Sequence, residues 1–150
     1  MNIFIKHLKY AVPFLITLFL WRLNVNFWNP AGILALIPIF YYTFVKPVDW
    51  FVLFGLTICF LIDYKCDLTL FWTFLFCLFY AANGLQKYID ISHNEKNAMY
   101  IFMFFIGTGF IFLTFLDLDW KNFINNIWLF TWMCVLYTPI TGIDKWIRND

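Results

Sequence analysis

The residues of this sequence that could do chemistry are few, and most are single ionisable groups beside long apolar runs. Asp63 closes the apolar run 54–62, and Arg22 follows another such run. A charged side chain at the centre of a bilayer costs about 2.5 to 3.5 kcal/mol on insertion scales, so charges beside apolar spans are candidates for function. We therefore select Arg22 and Asp63 as candidate groove or partner residues, expected on the same side, where they could pair.

A structural role is the alternative interpretation of both residues. Asp63 would belong to a charge-compensated turn, 63–67, in which Asp67 is placed to cap the following helix. Arg22 would extend its charge to the membrane interface from the end of a helix.

The sequence lacks the patterns that carry catalysis, metal binding or cofactor binding. The two histidines, His7 and His93, lie in different predicted loops, and the four cysteines show no CxxC spacing. There is no GxSxG motif, and the glycines at 107 and 109 lie inside an apolar run, where small residues permit close helix packing. We expect no catalytic residue, no metal and no cofactor, and therefore no enzyme.

The composition predicts an all-α membrane protein. Apolar residues make up 63% of the 150 residues and charged residues only 13%, which is too few to cover a soluble domain. The net charge of +1 lacks the basic footprint of a nucleic-acid binder. Within the apolar runs, apolar and polar residues do not alternate as they do in the strands of a membrane β-barrel, so a barrel is excluded.

The uncharged runs between clusters of charged residues predict six transmembrane helices in one integral membrane domain. Runs of about 20 uncharged residues cross the hydrocarbon outright, and the last three runs meet this length. Asn29 and Pro30 divide the first half, because asparagine caps helices and proline favours their first position. The expected helices are 10–28, 30–45, 48–64, 68–85, 98–116 and 124–142.

The second and third helices are the weakest part of this prediction. The second is short and contains Pro38, so it should be kinked or lie partly against protein. A re-entrant hairpin in this region, leaving four full spans, is the alternative.

The distribution of lysine and arginine predicts the orientation. With six spans, one side receives seven basic residues and the other receives Arg22, Lys65 and Lys121. The basic side is normally cytoplasmic, so both termini are expected in the cytoplasm. No small-residue cleavage site follows the first apolar run, and this helix is expected to stay as an anchor.

Two stretches of the chain resemble a known family. In 29–80, a helix opening at Pro30 leads to a turn at Pro47, and a helix with Gly55 ends at Asp63 before a further helix opens at Leu70. At the carboxyl end, Tyr137 and Pro139 precede the charged segment 144–148. This pattern is similar to that of the rod-shape-determining membrane protein MreD.

The resemblance implies a non-enzymatic scaffold of the bacterial cell-elongation machinery. Such a protein lies in the inner membrane and, with MreC and the actin-like MreB, links cytoskeletal filaments to peptidoglycan synthesis. Its partners would be membrane lipids, MreC and other elongation proteins, with no nucleic acid. Tyr137 and Pro139 enter the candidate partner residues through this resemblance.

Two other function classes remain open at this point. One is a small-molecule transporter or the substrate-binding membrane subunit of an energy-coupling vitamin importer. Its polar cavity would be lined by Arg22, Asn24, Asn26, Asp63 and Lys65. The other is a membrane-embedded enzyme, which the lack of an internal base or nucleophile disfavours.

Overall fold

The computed structural model describes residues 2–23, 32–46, 48, 50–67, 69–85, 95–116 and 118–148. Most of these residues are helical. The described residues form six helices and contain no strand. They are α1 (Asn2–Arg22), α2 (Ile33–Val45), α3 (Phe51–Lys65), α4 (Phe71–Leu85), α5 (Glu95–Leu116) and α6 (Trp120–Arg148). The predicted all-α class is confirmed, and the number of helices in the described residues equals the predicted number of spans.

The helix bounds differ most from the prediction at the two ends of the chain. Helix α1 begins at Asn2 rather than at residue 10, and α6 continues to Arg148 rather than ending at 142. Lysine and arginine are good helix formers, so basic residues beyond an apolar run extend a helix instead of ending it. The predicted cap at Asn29, the start at Pro30 and the turn at Pro47 lie outside the described residues.

Three of the six helices are long and apolar enough to cross a membrane. They are Ile3–Arg22, Asn97–Leu116 and Trp120–Ile147. Helices α3 and α4 each have 15 residues. At about 1.5 Å per residue these rise about 22 Å, which is less than the ~30 Å of a typical hydrocarbon core.

Five helices form a closed ring around α2. Neighbours in the ring are α1 and α3, α3 and α4, α4 and α5, α5 and α6, and α6 and α1. Helix α2 contacts α1, α3 and α6 directly, its last turn contacts α4, and the Phe40 ring packs on Phe102 and Phe105 of α5. Residues 32–43 are all buried. The core of the molecule is therefore this second helix, and the expectation that it lies against protein is confirmed.

The backbone of α2 changes type along its length. A 3-10 turn over Ile33–Ala35 leads into an α-helix over Leu36–Phe40 and then a π-helical segment over Tyr41–Val45. The amide of Lys46 donates to the Tyr41 carbonyl at 2.9 Å, a bond between residues five apart. Pro38 lies in the α-helical part and has no N–H to donate, which weakens regular α-helical bonding there.

Glycine lets the helices approach closely at two places. A Cβ on Gly109 of α5 would lie 2.6 Å from the Trp72 ring of α4. A Cβ on Gly55 of α3 would lie 3.3 Å from Ile39 of α2. The close packing expected around residues 107–109 is thus confirmed, with Gly109 as the residue that requires it.

The side-chain contacts define two opposite ends of the bundle. At one end, the Lys65 ammonium lies 4.4 Å from the centre of the Trp21 ring, which joins the last turns of α3 and α1. At the other, Tyr42 near the end of α2 bonds to Asp144 of α6. We refer to these as the Lys65 end and the Asp144 end.

Candidate functional site

Asp63 is completely buried and caps the neighbouring helix. Its Oδ1 accepts a hydrogen bond from the Trp72 amide at 3.0 Å, and its Oδ2 accepts one from the Thr73 amide at 2.9 Å. The Thr73 hydroxyl also donates to Oδ2 at 2.8 Å. Trp72 and Thr73 are the second and third residues of α4, whose amides have no partner within the helix. The carboxylate therefore stabilises the start of α4 from the end of α3.

This arrangement corrects the predicted capping residue. Asp67 was expected to cap α4, but it is exposed and has a φ of 52°, and Asp63 supplies the cap instead. Capping is normally done by the residue just before the helix. Here the capping residue, Asp63, lies about ten positions before the amides that it caps. Local sequence rules do not describe a cap at this separation.

Arg22 is not brought to Asp63. It is the exposed last residue of α1, whereas both Asp63 oxygens are used by α4. The contact between these two helix ends is instead made by Lys65 and Trp21. A cation over an indole ring at a partly exposed site contributes roughly 0.5 to 1 kcal/mol. The predicted Arg22–Asp63 pair is therefore absent, and the predicted structural role describes Asp63 better.

A second buried carboxylate, Asp144, was not selected from the sequence. Its side chain is 2% exposed, and its Oδ1 accepts a hydrogen bond from the Tyr42 hydroxyl. The bond connects residues 102 positions apart and ties the end of α6 to the central helix. A buried carboxylate needs such donors, because an unbonded charge in a low-dielectric interior is very costly.

The spacing on α6 contains a signal that could have revealed Asp144. Tyr137, Thr141 and Asp144 follow at intervals of four and three, which places them on one face of the helix. All three are buried, and the Thr141 hydroxyl donates to the Tyr137 carbonyl at 2.8 Å. Polar residues repeating on one face of an apolar helix indicate contact with the interior of the bundle.

The two residues selected from the resemblance lie on different sides of α6. Tyr137 is buried and its ring stacks on Phe102 of α5, with centroids 4.5 Å apart. Pro139 is exposed and lies within the helix without ending it. The four candidate residues thus form no single site: Arg22 and Pro139 face outward, and Asp63 and Tyr137 are internal.

The four cysteines are free, and only one lies in a turn. Cys66 follows α3 at the Lys65 end, whereas Cys59 is buried. Partial burial and, to a smaller extent, the nearby Asp63 and Asp67 charges raise the pKa of the Cys66 thiol to about 11, and the Lys65 charge opposes this rise. A thiol with a raised pKa is a weak nucleophile at neutral pH.

The side chains that could hold a metal are dispersed. Within the described ranges, no three His, Cys, Asp or Glu residues group together at metal-binding distance. The two buried carboxylates, Asp63 and Asp144, accept hydrogen bonds that join helices.

No known protein family, curated protein or solved structure matches the chain.

Proposed function

We propose that this protein is a non-enzymatic membrane scaffold of the bacterial cell-elongation machinery, placed in the inner membrane by six spans with both termini in the cytoplasm. The observation that carries the proposal is the filled interior of the ring. Residues 32–43 of α2 occupy the centre, so the surface left for recognition is the outside of the bundle. Specific partners would be met by helix faces, interface aromatics and short turns.

The outer faces have the composition that such contacts require. Helix α5 exposes a series of large apolar side chains, and α4 exposes a smaller one that includes Phe74 and Leu78. The exposed large apolar residues of α5 are Tyr100, Phe104, Ile111, Phe112, Phe115 and Leu116. Association between helices in lipid depends on van der Waals packing of such faces rather than on a hydrophobic driving force.

The link to cell elongation rests on the resemblance of 29–80 and of the carboxyl end to MreD. In that pattern Asp63 is the aspartate at the end of α3. The hydrogen bonds that it accepts from the Trp72 and Thr73 amides give a physical reason for an aspartate at this position. The proposed partners are MreC and the other elongation proteins.

A transporter or vitamin-binding subunit receives less support. The cavity residues proposed for it are dispersed: Arg22 is exposed, Asp63 is buried with both oxygens bonded, and Lys65 lies on Trp21. Asn24 and Asn26 lie outside the described residues. The centre of the ring, where a substrate would be enclosed, is filled by α2.

Depletion of the protein in its native bacterium tests the proposed function. Cells should lose their rod shape and their elongation complexes should disperse, and re-expression should restore both. Rods of normal width after complete depletion would contradict the assignment to elongation.

Affinity purification in mild detergent tests the scaffold mechanism separately. MreC should co-elute with the wild-type protein. Alanine pairs on the outer faces, Phe112 with Phe115 on α5 and Phe74 with Leu78 on α4, should identify the contact as a loss of co-elution without a change in melting temperature. The mechanism is wrong if a small molecule co-purifies in stoichiometric amount and no protein does.

A further inference from the structure

Helix α5 extends farther than its neighbour α4 at the Lys65 end of the bundle. The Trp72 ring, in the first turn of α4, packs on Phe110 of α5 with centroids 5.7 Å apart. Later in α4, Phe79 packs on Phe105 at 4.7 Å, so the two helices are antiparallel. Beyond Phe110, α5 continues to Leu116, a rise of about 9 Å, whereas α4 begins one residue before Trp72.

Helix α6 accompanies this extension, whereas α3 does not. The side-chain amide of Asn126 of α6 donates to the Thr114 hydroxyl of α5 at 3.2 Å, and α6 begins six residues before Asn126. Asp63, two residues before the end of α3, bonds to the Trp72 amide, so α3 ends close to the level at which α4 begins. We call the described residues of 111–126 the projecting hairpin.

At the Asp144 end, α4 and α5 reach about the same level. From the contact between Phe79 and Phe105, six residues of α4 remain to Leu85, and eight residues of α5 lead back to the start of its apolar span at Asn97. These lengths differ by about 3 Å. The 20-residue span of α5 rises about 30 Å and the 15-residue α4 about 22 Å, so the two helices differ mainly at the Lys65 end.

The tip of the projecting hairpin exposes large apolar side chains. Those that are more than 70% exposed are Phe115, Leu116, Leu118 and Trp120. Such side chains are suited to lipid, and tryptophan is favoured at the boundary between hydrocarbon and headgroups. Asp119 and Lys121 are also exposed and lie beside Trp120 in the chain. We therefore expect the hydrocarbon on this side of the bundle to end at the tip.

The turn between α3 and α4 requires water at a lower level. Lys65, at the end of α3, and Asp67, in the turn, are both exposed. The described residues of this turn are not helical. Non-helical backbone that faces lipid leaves N–H and C=O groups without partners, so such a segment is disfavoured within the hydrocarbon. On this side the hydrocarbon should therefore end near the first turn of α4.

A tilt of the whole bundle does not satisfy both levels. A tilt that lowered the membrane surface at this turn would move the opposite surface beyond Leu85 by the same distance. The sequence that follows Leu85 is polar and includes Lys87 and Asp90. Charges drawn into hydrocarbon are costly, so the difference in level is better met by the bilayer than by the orientation of the protein.

We propose that the outer face of α3 and α4 binds a locally thinned bilayer. Beside it, the phospholipids of the leaflet at the Lys65 end lie about 7 Å closer to the membrane centre than beside α5 and α6, the rise of five helical residues. Their acyl chains contact outward residues such as Phe60 and Phe74. A bilayer accommodates a short apolar span by thinning in this way. The surface does not depend on the scaffold function, and each can fail without the other.

Cysteine accessibility in proteoliposomes tests this surface. Single cysteines replace Leu70, in the turn, or Phe115, in the projecting hairpin, in a variant whose four native cysteines are alanine. The vesicles are dioleoylphosphatidylcholine, and freeze–thaw cycles with a water-soluble maleimide give the reagent access to both surfaces. Leu70→Cys should react at least about tenfold faster than Phe115→Cys, because hydrocarbon excludes the reactive thiolate.

Control positions and a second lipid accompany this comparison. Asp119→Cys, at the exposed tip, should react, and Phe104→Cys, in the middle of α5, should not. In thinner vesicles of dimyristoleoylphosphatidylcholine, Phe115→Cys should become reactive, which removes the difference from Leu70→Cys. Melting temperatures establish that each variant is folded.

Equal reaction rates of Leu70→Cys and Phe115→Cys in the thicker vesicles would overturn the proposal. Fast reaction of both would place the projecting hairpin in water, where it would be a docking surface for a protein. Protection of both would indicate a bilayer of uniform thickness. Gly84→Cys, near the other end of α4, should react, because a Cβ there has no neighbour within 4 Å and lies near the opposite surface. Its protection would indicate a tilted bundle instead of a thinned bilayer.

Discussion

Asp63 and Thr73 are joined by two hydrogen bonds across the turn between α3 and α4. The amide and the hydroxyl of Thr73 both donate to Oδ2, at 2.9 and 2.8 Å. Together with the bond from the Trp72 amide to Oδ1, they fix the start of one helix to the end of the previous one. The hydrogen bonds to the Asp63 carboxylate thus stabilise the turn.

Removal of this cap should destabilise the protein. We expect Asp63→Ala to lower the free energy of unfolding by about 2 kcal/mol, because a buried cap and a charge-assisted hydrogen bond are both lost. Asp63→Asn should cost less, since one carbonyl oxygen can still accept. The melting temperature in detergent, followed by tryptophan fluorescence, measures the effect.

Asp67→Asn is the matched control for the cap. Asp67 lies in the same turn and is exposed, so its substitution should leave the melting temperature nearly unchanged. A decrease in melting temperature for Asp67→Asn as large as that for Asp63→Ala would show that negative charge in the turn, rather than capping, stabilises the protein.

Gly109→Ala should also be destabilising, by about 1 to 3 kcal/mol, because the new methyl group overlaps the Trp72 ring. In a Trp72→Phe background the same substitution should cost less, since the overlapping ring atoms are gone. Gly142→Ala is the control, because its Cβ would have no neighbour within 4 Å. Alanine in a helix is favoured over glycine, so this variant should be neutral or more stable.

The class of fold could be predicted from the sequence because it depends on composition and run length. The order of helices around the ring could not. Nothing in the run 30–45 distinguishes a central helix from a peripheral one, except that it is short and contains Pro38. A helix that is apolar on all sides suits both lipid and a protein interior, so hydropathy cannot separate the two.

Tyr42→Phe and Asp144→Ala should not have additive effects on stability. Each removes one partner of the same buried hydrogen bond, so the double variant should lose about as much as the more damaging single variant. We expect about 1 to 3 kcal/mol for Tyr42→Phe, which leaves a buried acceptor unmet. A double-mutant cycle by thermal unfolding measures the coupling, and full additivity would contradict the bond.

Labelling of Cys66 should be slow at neutral pH and should accelerate as the pH rises. Its pKa is raised to about 11, so the thiolate fraction is small at pH 7 and grows about tenfold per unit until the pH approaches that value. An impermeant maleimide applied to intact spheroplasts between pH 7 and 9 measures the rate, and Cys66→Ser provides the blank. Labelling only after lysis would place the Lys65 end in the cytoplasm.

The candidate site could be predicted only in part, for a physical reason. Asp63 was identified because a single charge next to an apolar run is conspicuous. Asp144 was not, since it stands among Lys145 and Arg148 in a segment that resembles a solvated end. Its burial depends on Tyr42, which is distant in the chain, and long-range contacts of this kind have no local signature.

The enclosure of α2 by the other five helices affects how the chain is made. This helix is synthesised second, yet the ring that surrounds it closes only when α6 packs on α1. Until then its surface must be accommodated by lipid or by the insertion machinery, with the polar groups of Tyr42 and Thr43 uncovered. The packing of α6 is therefore a late step in assembly, and a nascent chain truncated before α6 would leave α2 without one of the helices that cover it.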